Sequence, residues 1–167
     1  MPNYRRASIE GGSYFFTVAL ADRRSSLLFD RIDSLRDAMR AAKRARPLHV
    51  DAMVVLPDHL HCIWTLPPGD ADFATRWAHV KGAFSRNIAH DEVVSDSRAA
   101  RRERGIWQRR FWEHAIRNEA DYARHCDYIH YNPVKHGWAS TPGEWRHSTF
   151  WRFVAQGAYA PDWCGPT

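Results

Sequence analysis

Residues 48–56 and 59–66 are two strand-like apolar runs separated only by Pro57-Asp58, and this constrains the chain more than any other feature. A connection that short cannot carry a crossover to a parallel neighbour, so the two runs must pair antiparallel as a hairpin. In the second run, strand alternation sends Leu60, Cys62, Trp64 and Leu66 to one face and His59, His61, Ile63 and Thr65 to the other. The apolar face anchors the strand in a core. Two imidazoles are then left side by side, close enough to share a divalent cation once a third ligand is found. The same pair also suits a structural role, because strand histidines often satisfy a local hydrogen bond.

The periodicity changes on either side of the hairpin. Gly11-Gly12 precedes a strand over residues 13–20, rich in aromatic and β-branched side chains. Ile32, Leu35, Met39 and Ala42 recur at helical spacing and predict a helix over about residues 30–46, stopped by Pro47. Phe73, Trp77, Val80 and Phe84 predict a second helix over residues 72–90. Residues 91–105 are charged and unpatterned, which predicts a flexible segment. A strand over residues 107–116 follows, and Asn118 caps a last helix that Pro133 ends after Asn132. The order β-α-β-β-α-β-α predicts a ferredoxin-like α+β sandwich, an antiparallel sheet with helices packed on it. Trp138, Trp145, Trp151 and Trp163 predict that the tail over residues 138–167 packs onto the rest, so that residues 1–167 form one domain.

Charge narrows the partner. The chain carries 24 Lys+Arg against 19 Asp+Glu, a net charge of +5, with a pI near 9.4, which favours a polyanion. Arg5-Arg6, Arg23-Arg24 and residues 40–46 and 98–110 are basic clusters, and Tyr4, Trp107 and Trp112 lie near such clusters. Cations interleaved with aromatics suit single-stranded nucleic acid, although an arginine-rich surface also serves plain solvation. Cys62, Cys126 and Cys164 form no Cys-x-x-Cys pair and suggest neither a disulfide framework nor a zinc ribbon, which fits the cytoplasm. No apolar run approaches the roughly 18 residues of a membrane span, and no secretion signal is predicted.

The last helix supplies the chemistry. At about 100 degrees per residue, Tyr122, Cys126 and Ile129 share an apolar stripe, and Tyr128 lies roughly 120 degrees from its centre. The neighbours of Tyr128 are Asp121, Arg124, His125 and Asn132, so Tyr122 is assigned to packing and Tyr128 to a polar face. A tyrosine phenol, with an ordinary pKa of about 10, is protonated at neutral pH and needs help to attack phosphorus. A divalent metal on the scissile phosphate neutralises charge and aligns the ester for in-line attack, leaving a covalent phosphotyrosine. Asn132, one turn beyond Tyr128, offers an amide oxygen as third ligand to His59 and His61. This set favours magnesium or manganese over structural zinc. Cys62 points away from it.

Arg5-Arg6, Gly11-Gly12, the run from Val54 to Trp64, Trp107-Gln-Arg-Arg-Phe-Trp-Glu-His114 and Asp127-Tyr-Ile-His-Tyr-Asn-Pro-Val-Lys-His-Gly137 together resemble the REP-associated tyrosine transposases. These are single-tyrosine relatives of insertion-sequence transposases in the His-hydrophobe-His endonuclease superfamily, and the resemblance spans almost the whole chain. It implies cleavage and rejoining of single-stranded DNA at REP-type hairpins. It places His59 and His61 on the metal-binding histidines and Tyr128 on the nucleophile that becomes linked to the 5′ phosphate. Asn132 falls where many insertion-sequence relatives carry glutamine; asparagine is one methylene shorter and binds the ion directly or through a water. Arg5, Arg6, Lys135 and His136 are the candidate DNA contacts, and a monomer is favoured over a dimer. Glu113 and His114 stay outside the site. The rival readings are a non-catalytic single-stranded nucleic-acid-binding protein on the same fold and a metal-dependent hydrolase of small molecules.

Overall fold

The computed structural model describes residues 8–88 and 105–166. Four strands, β1 (Ser13–Ala19), β2 (His49–Val55), β3 (His59–Thr65) and β4 (Trp112–Ala115), form one sheet in the order β2-β3-β1-β4. Every neighbouring pair is antiparallel. This is the ferredoxin-like pattern expected from the element order. Helix α1 (Leu27–Asp30) is a single turn, and α2 (Ile32–Ala45) and α3 (Phe73–Arg86) cover one face of the sheet. Helix α4 (Glu119–Lys135) lies on the other face, followed by a 3-10 turn (Pro142–Glu144) and α5 (Phe150–Ala155).

The sheet therefore separates two cores. Tyr14, Phe16 and Val18 of β1 and Leu60, Cys62 and Trp64 of β3 face α2 and α3, where Trp64 stacks on Trp77 with ring centroids 4.0 Å apart. Phe15 and Ile63 face α4, packing with Cys126, Ile129 and Phe153. Strand β2 keeps both faces apolar through a bulge between Val50 and Ala52, after which Ala52 and Val54 join the α4 core. The tail closes the second core. The Trp145 indole donates to the Val55 carbonyl at 3.0 Å, and Tyr159 packs beside Phe150 and Phe153.

Three boundaries differ from the sequence pattern. The first expected helix is α2, which starts at Ile32, and a separate single turn, α1, precedes it. The last strand is shorter than residues 107–116: Trp107 makes one bridge to Leu20, then Phe111 turns to pack against Phe16, Phe73 and Trp77 before pairing resumes at Trp112. Pro133 does not end α4, which continues to Lys135. Proline removes one N–H and crowds the Ile129 carbonyl, but Ile129 and Pro133 are both buried and packing offsets that cost. The expected flexible segment falls almost entirely outside the described residues. Among those described, no helix is long and apolar enough to cross a membrane.

Candidate active site

His59 and His61 project from β3 towards α4 with ring centroids 4.9 Å apart, and both are buried. Each ring is fixed through Nδ1. The His59 Nδ1–H donates to Asp58 Oδ1 at 2.8 Å, because a carboxylate only accepts, and Arg23 Nε donates to the other Asp58 oxygen at 2.6 Å. His61 Nδ1 pairs with Thr17 Oγ1 at 2.8 Å, and Thr17 lies directly opposite His61 across the β1–β3 ladder. Burial pushes the His61 pKa down to about 3, with the neighbouring His59, His136, Lys135 and Arg23 charges adding to it. Burial also lowers His59, partly countered by Asp58. With the proton on Nδ1, where Asp58 accepts from His59 and the Thr17 hydroxyl is able to accept from His61, each neutral imidazole presents an Nε2 lone pair, the state that metal ligation requires. His61 Nε2 is buried with no hydrogen-bond partner.

Helix α4 brings the remaining groups. Asn118 caps it, accepting from the Asp121 N–H at 2.8 Å, while Glu119 and Asp121 in its first turn and Lys135 in its last suit its dipole. Tyr128, Asn132 and His136 recur at four-residue intervals and so share one face. The Tyr128 ring centroid lies 5.2 Å from that of His61, and the His136 centroid 5.4 Å from that of His59. Asn132 stands between them in the helix, fully buried, with both amide atoms unpartnered. A buried amide left unbonded costs about 1–3 kcal/mol, so this amide and His61 Nε2 are each a buried polar group that a divalent cation would satisfy. Tyr128 is 39% exposed and open to solvent, and Lys135 Nζ lies 4.9 Å from its ring centroid. Lys135 and His136 reach the site because α4 runs through Pro133. Arg5 and Arg6 lie outside the described residues.

A second cluster lies near the first turns of α4. His114, Asp121 and His125 have ligand-type atoms within 4.8 Å of one another. His114 Nε2–H and the Arg117 backbone N–H both donate to Asp121 Oδ2, at 2.8 and 2.9 Å, and Arg124 approaches Oδ1 at 3.4 Å. Burial acts to raise the Asp121 pKa, but these hydrogen bonds outweigh it and hold the carboxylate well below its usual range. Its oxygens are occupied by N–H donors, so the cluster ties α4 to β4 rather than offering a cation site. Sequence periodicity passes over Thr17 and Asp58 as supports of the histidines. Asp58 is signalled by adjacency to His59, but Thr17 is revealed only by strand register.

No protein-family model matches the chain. It is 50% identical over 165 residues to the REP-associated tyrosine transposase of Escherichia coli, covering 99% of this chain and 92% of the relative. It is 44% identical over 166 residues to a Haemophilus influenzae protein provisionally given the same family name, covering 99% and 94%. The solved structure of a REP-associated tyrosine transposase bound to a REP hairpin is similar with a TM-score of 0.85 at 50% identity, covering 99% of this chain and 93% of that one. With half its residues identical over nearly its full length and the same fold, this chain belongs to the REP-associated tyrosine transposases, a family of enzymes that act on DNA.

Proposed function

We propose that this protein cleaves and rejoins single-stranded DNA at REP-type hairpins through a covalent 5′-phosphotyrosine on Tyr128. The observation that carries the reading is an exposed tyrosine whose ring centroid lies 5.2 Å from that of a buried histidine with an unpartnered Nε2, beside a helix position, Asn132, whose buried amide is equally unpartnered. The Tyr128 oxygen forms a bond to the scissile phosphorus as the bond to the 3′ oxygen breaks. The phenol gives up its proton, and the departing 3′ oxygen takes one up. Attack by a 3′ hydroxyl reverses the step and rejoins the strand. Magnesium or manganese held by His59, His61 and Asn132 would neutralise phosphate charge and polarise the leaving oxygen. Thr17 and Asp58 orient the two imidazoles, and Lys135 and His136 meet the phosphates flanking the cut.

The hairpin stem needs phosphate contacts away from the chemistry. A groove of about 370 Å³ between α2 and β2 supplies Arg36, Arg40, Lys43 and Arg146 over a floor that includes Met39 and Met53. Arg36 and Arg40 bond Asp33 and Asp37 on the exposed helix surface at 3.3 and 3.0 Å, pairs that solvent keeps weak enough to yield to phosphate. One nucleophilic tyrosine per chain permits one covalent link at a time, and we propose a cytoplasmic monomer as the working unit.

The test is a labelled single-stranded REP-type hairpin incubated with manganese or magnesium and resolved under denaturing conditions. The wild type is expected to form a covalent adduct, whereas Tyr128→Phe binds the hairpin and forms none. Cleavage surviving in Tyr128→Phe overturns the assignment. Hairpin binding by the wild type without an adduct in either metal returns the non-catalytic reading.

A further inference from the structure

The sheet places a second aromatic beside the nucleophile. Trp112 of β4 is the ladder partner of Thr17, and Thr17 is the ladder partner of His61, so the three form one row across β4, β1 and β3. Directly opposed residues point to the same face, which puts Trp112 on the α4 side, two strands from His61 and roughly 10 Å away at ordinary strand spacing. Trp112 is 58% exposed, unusual for a tryptophan, a residue type that is highly buried on average. Between it and α4 lies a cleft of about 410 Å³ lined by Phe15, Thr17, Trp112, Arg124, His125 and Tyr128. That volume lies within the roughly 300–1,000 Å³ of small-ligand sites, and the nucleophile itself forms part of the wall.

The walls are built to stay open. His125 Nδ1–H donates to the Asp121 carbonyl at 2.7 Å, and the ring stacks on His114 with centroids 4.7 Å apart. Phe15 lies 4.8 Å from the His125 centroid and 5.9 Å from that of Tyr128. Asp121, 1% exposed, anchors His114 from below. The mouth carries the Arg124 guanidinium, whose side chain is 63% exposed. A flat aromatic face, a cation at the rim and a scissile phosphate at one wall match a nucleotide, with base on indole and phosphate at the cation.

In-line attack selects which nucleotide. The leaving 3′ oxygen departs opposite the attacking phenol oxygen, so the upstream nucleotide lies away from Tyr128, while the downstream nucleotide stays linked to it. We infer that this cleft is a nucleobase pocket, in which Trp112 stacks on the base immediately downstream of the cut and Arg124 meets its 3′ phosphate. Trp112 is thus a positioning residue that holds the covalent strand until rejoining. This rests on Tyr128 being the nucleophile. It goes beyond that reading by giving a base its own site.

The experiment is a cycle. Hairpin substrates with a single abasic position immediately downstream of the cut, or two nucleotides further on, are compared with intact DNA on wild type, Trp112→Ala and Trp112→Phe. Equilibrium binding and adduct formation are both read. Loss of the stacked base is expected to weaken wild-type binding by about 5- to 150-fold. Trp112→Ala should bind intact DNA equally weakly and show no further loss with the downstream abasic substrate, whereas Trp112→Phe should recover most of the effect. The more distant abasic position should act alike on all three proteins. Additive losses for Trp112→Ala and the downstream abasic position overturn the pocket, even where adducts form. Absence of adducts in the wild type overturns the nucleophile assignment instead, and the binding cycle still decides whether Trp112 holds a base.

Discussion

His61 acts through Nε2 only if its proton sits on Nδ1, and the Thr17 hydroxyl at 2.8 Å is the group placed to accept that proton and orient the ring. Thr17→Val keeps the β-branched shape and removes the hydroxyl, so the ring loses its orienting bond. Such losses lower metal affinity by about 10–100-fold. The measurement is a manganese titration followed by thermal unfolding. At about 100 times its dissociation constant a ligand specific for the folded state stabilises by about 2.7 kcal/mol. The wild type should therefore show a rising midpoint, Thr17→Val the same curve displaced to higher manganese, and His61→Ala no shift. A midpoint that rises equally in His61→Ala would place the ion elsewhere. The His59–Leu60–His61 alternation was readable from one strand, because side-chain parity is a local property. Thr17 was not, because it meets His61 only through the pairing of β1 with β3.

Helix α3 is held to its surroundings by one buried cation. Arg76, with a side chain 1% exposed, bonds both Asp70 oxygens at 3.0 and 2.8 Å and donates to the carbonyls of Arg46, Pro47 and Asp72. All five guanidinium protons are used. Removing one partner of a buried pair costs about 3–5 kcal/mol. Asp70 is 31% exposed and keeps some hydration when Arg76 is lost, so Arg76→Met is expected to cost about 3 kcal/mol in urea unfolding. The Arg76 hydrogen bonds hold the Asp70 pKa down to about 2 from 3.8. A depressed carboxylate stabilises the fold above the unfolded pKa and loses that contribution as pH falls through the folded one. The stability gap between wild type and Asp70→Asn should therefore be full above about pH 4 and close as pH approaches about 2. Helices and strands of this chain were legible from apolar spacing, which reports the face turned to a core. Their ends were less so: Pro133 reads locally as a stop, yet burial carries α4 on to Lys135.

Across the whole molecule, the sheet buries chemistry on one side and anchors it on the other, and protons report that burial. Burial lowers the His61 pKa to about 3 and that of His130 to about 4, from 6.5. His130 is held between Tyr159 and Thr149, at 3.1 and 2.8 Å, where the tail closes over α4. The unfolded chain binds these protons first, so stability falls as pH drops from 6.5 towards 4, by about 1.4 kcal/mol per pH unit for each histidine. His130→Gln should flatten the pH slope of the unfolding free energy by about one histidine's share; an unchanged slope would mean that His130 is protonated in the fold. In the α2–β2 groove, Lys43→Glu with Arg146→Glu should weaken hairpin binding and reduce its salt slope by about one per lost phosphate contact. Unchanged salt dependence would move the stem elsewhere. The two-residue connection, the alternation on β3 and the stripe on α4 are short-range properties, and the order of letters was enough to specify an antiparallel hairpin, two imidazoles on one face and a tyrosine turned from the core. Folding alone brought Tyr128, Asn132 and His136 over His59 and His61 and set Trp112 in the same row, because those distances depend on how β4, β1 and β3 pair and how α4 lies across them.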